Sequence, residues 1–156
     1  MYRGLVKKKI METNTNNRFS IFPCGWLDET TQRVQMRQGP QQTMTIADTY
    51  RYITSQRARW ATETLRSMAD TATEKEQKDF KLLHFEYATF SGRFSYRKAQ
   101  RLIERTPFIT IDIDHLSSME EARALQEAFT HDPYVETALC FVSPRGRGVK
   151  WVAVLP

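Results

Sequence analysis

Two carboxylates stand two residues apart at the end of an apolar run, Phe108 to Asp114, which reads FITIDID. Its β-branched residues predict a strand, with Pro107 at its start. Because a strand alternates faces, Asp112 and Asp114 share one face with Cα atoms about 6.6 Å apart, and Ile109, Ile111 and Ile113 are expected to point into the core.

The two carboxylates repel each other unless a cation compensates their charge, and oxygen ligands suit Mg²⁺ or Mn²⁺. The pair is therefore predicted to hold a divalent ion for phosphoryl or nucleotidyl transfer. Two solvated acids on the exposed face of an edge strand are the alternative.

A basic, glycine-containing turn lies further along the chain, at residues 143–150, which read SPRGRGVK. Glycines let the backbone approach an anion and leave amides free to cradle it, and the serine hydroxyl adds a donor. The residues predicted to hold nucleotide phosphates are Ser143, Arg145, Gly146, Arg147, Gly148 and Lys150. Strand alternation also allows Lys150 to face the same way as the two carboxylates. An ordinary hairpin with solvated arginines is the alternative.

A third feature is the basic segment from Arg93 to Arg105, in which arginines recur every fourth residue. In a helix, Arg93, Arg97, Arg101 and Arg105 would form one stripe suited to phosphates, whereas an extended segment would split that stripe. Arg93, Arg97 and Arg101 are therefore candidate nucleic-acid-binding residues. A solvated helix face is the alternative.

The elements that must position these residues follow Pro107 in the order strand, helix, strand, turn, strand. Ser117 and Glu120 have capping-box spacing and predict the start of the helix. The strands before and after that helix are expected to be parallel, by the right-handed crossover rule. This order predicts a β-α-β-β unit over 107–156, like the first part of a ferredoxin-like or RNA-recognition-motif-like fold.

The region before this unit is predicted to be mainly helical. Residues 1–17 show no periodicity and predict a disordered tail, Phe19–Phe22 suggests a short strand, and the polar residues 23–43 suggest a long connection. Helices are predicted after the cap Thr45, over Arg57–Met68, and after a capping box at Thr71 and Glu74. The fold class is thus α+β, with a single domain over 18–156 that comprises a helical part, 18–106, and the β-α-β-β unit.

Length and composition indicate the number of domains, the expected location and the compatible partners. The 156 residues suit one domain, and no apolar run has the length of a membrane helix. The two cysteines form no CxxC pair, so no zinc site is predicted and the cytoplasm is the expected location. The net charge of +5 is compatible with nucleic acid.

These motifs together resemble the archaeo-eukaryotic primase (prim-pol) superfamily, in which an hhhDhD strand is followed by a serine-containing hairpin. The subgroup called the VirE N-terminal or primase-like N-terminal domain, found in mobile-element proteins, is the most similar. The corresponding residues here are Thr89–Phe94 with Arg97, Asp112–Leu116, and Ser143–Lys150. Lys150 stands where the superfamily typically has histidine, and Arg145 replaces a small residue of the subgroup.

The resemblance implies a truncated primase-like core and a nucleotidyltransferase of a mobile-element replication protein. It implies that Asp112 and Asp114 are catalytic metal ligands for Mg²⁺ or Mn²⁺, and that the basic turn holds a nucleoside triphosphate. DNA or RNA would be the second substrate, and a helicase-like domain would be a partner. The superfamily also uses a third acidic residue on a later strand, which is not among these 156 residues, so catalysis stays open. The alternatives are a non-catalytic nucleotide-binding or nucleic-acid-binding module and, more remotely, a DxD glycosyltransferase, which would need a glycine-rich upstream region.

Overall fold

The computed structural model describes residues 16–156, so the predicted disordered tail over 1–17 lies almost entirely outside the described residues. The described chain forms an α+β fold, as predicted. Its helices are α1 (Ile46–Ile53), α2 (Gln56–Ser67), α3 (Glu74–His84) and α4 (Met119–Thr130). Its strands are β1 (Phe19–Phe22), β2 (Trp26–Asp28), β3 (Arg33–Gln35), β4 (Gln42–Met44), β5 (Tyr87–Thr89), β6 (Gly92–Phe94), β7 (Leu102–Arg105), β8 (Phe108–Ile113), β9 (Thr137–Val142) and β10 (Val149–Val154). None of the helices in this described part is long and apolar enough to cross a bilayer.

The C-terminal elements form the predicted β-α-β-β unit. Its sheet has the order β8-β10-β9, and β10 is antiparallel to both neighbours. The strands β8 and β9 therefore run parallel to each other, as predicted, but β10 lies between them. Helix α4 packs over β9 and β10, where Phe129 stacks on Trp151 with ring centroids 4.3 Å apart.

The expectation that the isoleucines of β8 point into the core is wrong for two of the three. Ile109 is 43% exposed and Ile111 is 37% exposed. The reason is that β8 is the edge strand of the sheet, on the side away from β9, and α4 lies mainly over β9 and β10. On the opposite face of the strand, Phe108 is buried instead.

The N-terminal part contains more β-structure than predicted. The predicted strand Phe19–Phe22 is confirmed and is the central strand of a sheet with the order β4-β1-β5. The predicted connection over 23–43 instead carries strands β2 and β3, paired as a hairpin, and most of β4. Short polar strands of this kind alternate too briefly to give a clear period-two signal.

One hydrophobic core joins the N-terminal part to the β-α-β-β unit. The Phe19 ring of β1 lies 4.8 Å from Phe90 and 6.2 Å from Phe108 of β8, measured between ring centroids. Ile46 of α1 and Val152 of β10 are buried in the same cluster. The sheet that carries the two carboxylates is therefore packed against the rest of the described chain.

The predicted cap of the first helix is confirmed, and the next predicted capping box is displaced. Thr45 caps α1 in a capping box with Asp48. Helix α3 begins with Thr73 and Glu76, not with Thr71 and Glu74. Both pairs have the same spacing, and the pattern alone cannot choose between two overlapping boxes.

The cap of α4 is displaced in the same way. Ser118, rather than Ser117, is the N-cap and accepts a hydrogen bond from the Glu121 amide. The Ser117 hydroxyl donates to the Glu121 carboxylate at 2.6 Å. The helix thus begins one residue later than the predicted box.

Ser20 connects the central strand to the hairpin formed by β6 and β7. Its buried Oγ accepts from the Phe94 amide at 2.8 Å and donates to the Phe94 carbonyl at 3.2 Å. We expect Ser20→Ala to lower the free energy of unfolding by about 1–3 kcal/mol, because both backbone groups lose their partner. Chemical denaturation measures this loss. The control is Ser67→Ala, whose exposed hydroxyl bonds within its own helix and whose loss should change stability by less than about 0.5 kcal/mol. Equal losses in the two variants would contradict the prediction.

Candidate functional site

Asp112 and Lys150 are directly opposite each other on neighbouring strands. The antiparallel register of β8 and β10 pairs these two residues. Residues opposite each other in such a pair project from the same face, and here the Lys150 ammonium forms an ion pair with the Asp112 carboxylate. The prediction that Lys150 faces the same way as the carboxylate is therefore confirmed.

Asp114 lies just beyond the strand end and approaches the basic turn. A Cβ atom placed on Gly148 would lie 3.0 Å from Asp114 Oδ1, 3.1 Å from Ser143 Oγ and 2.7 Å from the Ile113 carbonyl oxygen. The carboxylate and the hydroxyl thus converge on one point of the turn, and any side chain at that point would displace them. Glycine at position 148 is what allows the turn to pack against the end of β8.

The backbone of the turn is held by hydrogen bonds of its own. The Gly146 amide donates to the Ser143 carbonyl at 2.8 Å, and the Ser143 amide donates to the Gly148 carbonyl at 2.8 Å. Gly146 has φ +81°, a conformation that glycine adopts without strain. Because the Gly146 amide is used inside the turn, it is not available to an anion in this conformation.

Arg66 of α2 supports the turn from the N-terminal part of the chain. Its Nε donates to the Pro144 carbonyl at 3.1 Å, and its Nη2 lies 3.5 Å from the Ser143 carbonyl. Burial lowers the pKa of Arg66 below its ordinary value, and the charge of Arg123 acts in the same direction. The sequence contains no signal for this contact, because the partners are more than 70 residues apart in the chain.

Lys81 of α3 is a second residue that the sequence analysis missed. It is half-buried. Burial is the largest cause that lowers its pKa below the ordinary value, and the positive charges of Arg145 and Lys150 lower the pKa further. The carboxylates of Asp114 and Asp112 act in the opposite direction. Lys81 therefore interacts electrostatically with both acids and with two of the predicted phosphate-binding cations, and it adds positive charge to the site.

The basic segment adopts the extended alternative, which splits the stripe of arginines. Residues 92–94 and 102–105 form the antiparallel hairpin of β6 and β7, with only a short 3₁₀ turn over Ala99–Arg101 between them. Arg93 forms an ion pair with Glu104 at 3.0 Å. The Arg97 guanidinium instead lies 4.5 Å from the centre of the Tyr87 ring, and Arg101 belongs to the 3₁₀ turn. Their binding of nucleic acid stays a prediction.

The donors at the site suit a divalent ion in kind. Asp112, Asp114 and the Ser143 hydroxyl offer oxygen atoms, and Mg²⁺ commonly completes its coordination with water and substrate phosphates. Over residues 16–156, no group of three or more His, Cys, Asp or Glu side chains is arranged to hold a metal. An ion at this site would therefore be held by Asp112 and Asp114, and Lys150 already compensates part of their charge.

Comparison with known proteins gives one match. Residues 80–156, a little under half of the chain, match the family described as BT4734-like, N-terminal domain. No curated protein and no solved structure matches the chain. The matched range includes both acids, the basic turn and Lys81, whereas Arg66 lies outside it.

The close fit at Gly148 predicts a large effect of a small substitution. We expect Gly148→Ala to lower the free energy of unfolding by about 1–3 kcal/mol, because the added methyl would overlap the Ile113 carbonyl and crowd Asp114. Chemical denaturation measures the change. Gly39→Ala is the matched control, since a Cβ there would have no atom within 4 Å, and its effect should be below about 0.5 kcal/mol. A Gly148→Ala variant as stable as Gly39→Ala would show that the fit is not tight.

Proposed function

We propose that this chain carries a primase-like nucleotidyltransferase site that binds a nucleoside triphosphate together with Mg²⁺ or Mn²⁺. The observation that carries the proposal is the placement of Asp112 opposite Lys150, with Asp114 and Ser143 converging on the adjacent turn. The motifs that resemble the VirE N-terminal subgroup of the primase superfamily support the same function. On this proposal the protein takes part in replication of a mobile element in the cytoplasm, with DNA or RNA as second substrate and a helicase-like partner.

Each part of the site has a role in this function. Asp112 and Asp114 would hold the divalent ion, which supplies charge stabilisation to the reacting phosphoryl group when bound. Lys150, Arg145 and Lys81 would bind the phosphate oxygens. The hydroxyl of Ser143 can donate a further hydrogen bond to a phosphate, and Arg147 adds positive charge at the tip of the turn.

The ion pair between Asp112 and Lys150 implies an exchange of partners when ligand binds. A triphosphate competes for the Lys150 ammonium, and its binding leaves the Asp112 carboxylate free to take a divalent ion. The nucleotide and the ion are thus expected to bind together more tightly than either binds alone.

A non-catalytic nucleotide-binding or nucleic-acid-binding module is the second candidate. The observation that favours it is the shortage of carboxylates: among the residues described, the site has two acids and no third. The cations Lys81, Arg145 and Lys150 can bind phosphate without a metal.

The direction in which one substitution changes the affinity for nucleotide distinguishes the two candidate functions. In Mg²⁺, we expect Asp112→Asn to weaken binding of a fluorescent nucleoside triphosphate by at least about tenfold, or 1.4 kcal/mol, because a metal ligand is lost. In EDTA, the same substitution should strengthen binding several-fold, because it removes a negative charge and frees Lys150. Fluorescence titration measures both constants. Asp70→Asn, an exposed acid on the turn after α2, is the charge-matched control and should have no effect.

The outcomes of that titration are distinct. Tighter binding by Asp112→Asn in both buffers would favour the module that binds phosphate without metal. No binding of triphosphate by the unmodified protein in either buffer would reject both the nucleotidyltransferase and a nucleotide-binding module.

Catalysis itself is tested by nucleotide incorporation. We expect the full-length protein to extend a primed template with labelled nucleotide in Mg²⁺ or Mn²⁺, and Asp112→Ala to lower the rate at least about 100-fold, because the ion loses a ligand. Denaturing electrophoresis of the products measures the rate, with Asp70→Ala as control. Triphosphate binding without any incorporation would leave the non-catalytic module as the function.

A further inference from the structure

Three exposed aromatic rings of the N-terminal part each lie against a positively charged side chain. The Arg37 guanidinium is 4.9 Å from the Trp26 ring centre, and the Arg97 guanidinium is 4.5 Å from that of Tyr87. The Lys98 ammonium is 5.8 Å from the Tyr96 ring centre. The three aromatic residues are exposed, at 41% for Trp26, 47% for Tyr87 and 39% for Tyr96.

A backbone hydrogen bond brings these pairs into one region. The Arg97 amide donates to the Gln38 carbonyl at 2.8 Å, so Arg97 and Lys98 lie beside the segment that carries Arg37. A shallow pocket of about 320 Å³, lined by Ser95, Tyr96, Lys98 and Arg101, adjoins the same loop. The aromatic–cation surface consists of Trp26, Arg37, Tyr87, Tyr96, Arg97 and Lys98.

The cations of this surface are not neutralised by the protein. Within residues 16–156, Arg37, Arg97 and Lys98 form no ion pair with a carboxylate. Arg93 of strand β6 differs in this respect, because it forms an ion pair with Glu104. The surface therefore presents planar groups and uncompensated positive charge together, a combination suited to a ligand with planar rings and a polyanionic backbone.

We propose that the aromatic–cation surface binds single-stranded nucleic acid. Unpaired bases stack on aromatic rings and on arginine guanidinium planes, and the cations neutralise the phosphates. Bases in a duplex are stacked on each other and cannot use the rings, and an acidic peptide supplies charge without planar groups. The inference rests on the part of the proposed function that names DNA or RNA as second substrate. It assigns that substrate a separate surface, because none of the six residues belongs to the nucleotide site.

The test is fluorescence anisotropy with a labelled oligothymidylate about 12 nucleotides long, at low salt and in EDTA. We expect saturable binding that Trp26→Ala and Tyr96→Ala each weaken about tenfold, because each variant removes one stacking platform. Lys98→Ala should lower the slope of log affinity against log salt by about 0.7, because one phosphate contact is lost.

Matched variants control for general loss of aromatic or charged surface. Tyr134→Ala removes a tyrosine that is 93% exposed in the loop after α4, and Lys78→Ala removes an exposed lysine of α3. Both should bind as the unmodified protein does. Circular dichroism checks that Trp26→Ala and Tyr96→Ala are folded.

Each outcome bears on the proposal. It is overturned by the absence of saturable binding, by equal losses in Tyr134→Ala and Tyr96→Ala, or by a duplex or polyglutamate that competes as well as the single strand does. An oligouridylate of the same length distinguishes RNA from DNA as the ligand. Tighter binding of either strand supports the proposal and identifies which of the two is bound. Because the assay contains neither free nucleoside triphosphate nor metal, its failure is distinguishable from a failure of triphosphate to bind at the nucleotide site.

Discussion

The cross-strand pair of Asp112 and Lys150 is the interaction on which the candidate site depends, and strand register fixes that pair. A slip of one residue between β8 and β10 would turn Lys150 to the face covered by α4 and separate the two charges. The register is maintained along six residue pairs. At the end of β8, the lack of a side chain at Gly148 allows the turn to approach the Ile113 carbonyl. Gly148 thus contributes to the site by allowing the turn to pack closely, as well as by exposing its backbone.

The site is assembled by parts of the chain that are distant in sequence. Arg66 of α2 binds the carbonyls of the turn, and Lys81 of α3 adds positive charge that interacts with both acids. These helices belong to the part whose Phe19 packs against Phe108 of β8. The N-terminal part therefore both supports the sheet and completes the electrostatic environment of the site, which makes the β-α-β-β unit alone an incomplete description of it.

Local patterns in the sequence predicted the strand–helix–strand order, the face shared by Asp112 and Lys150, and the cap at Thr45. Predictions that depended on distant packing were less successful. Alternation indicated which residues of β8 share a face, but not that its isoleucines lie at an edge that α4 does not cover. Spacing by four suggested a stripe of arginines, yet pairing of β6 with β7 made that segment extended. No motif indicated Lys81, because its position results from packing of α3 against α2 and the β2–β3 hairpin.

Charge compensation changes the argument for a metal at this site. The sequence suggested an ion because two adjacent carboxylates repel each other, but Lys150 pairs with one of them and the charge of Lys81 interacts favourably with both. In the unliganded protein the lysines therefore compensate part of the charge that a divalent ion would neutralise. On the proposed function the need for an ion grows when a triphosphate draws Lys150 and Lys81 to its own oxygens and leaves the acids less compensated. Linkage then requires the converse: an ion on the acids releases the two lysines for phosphate, so each ligand raises the affinity for the other.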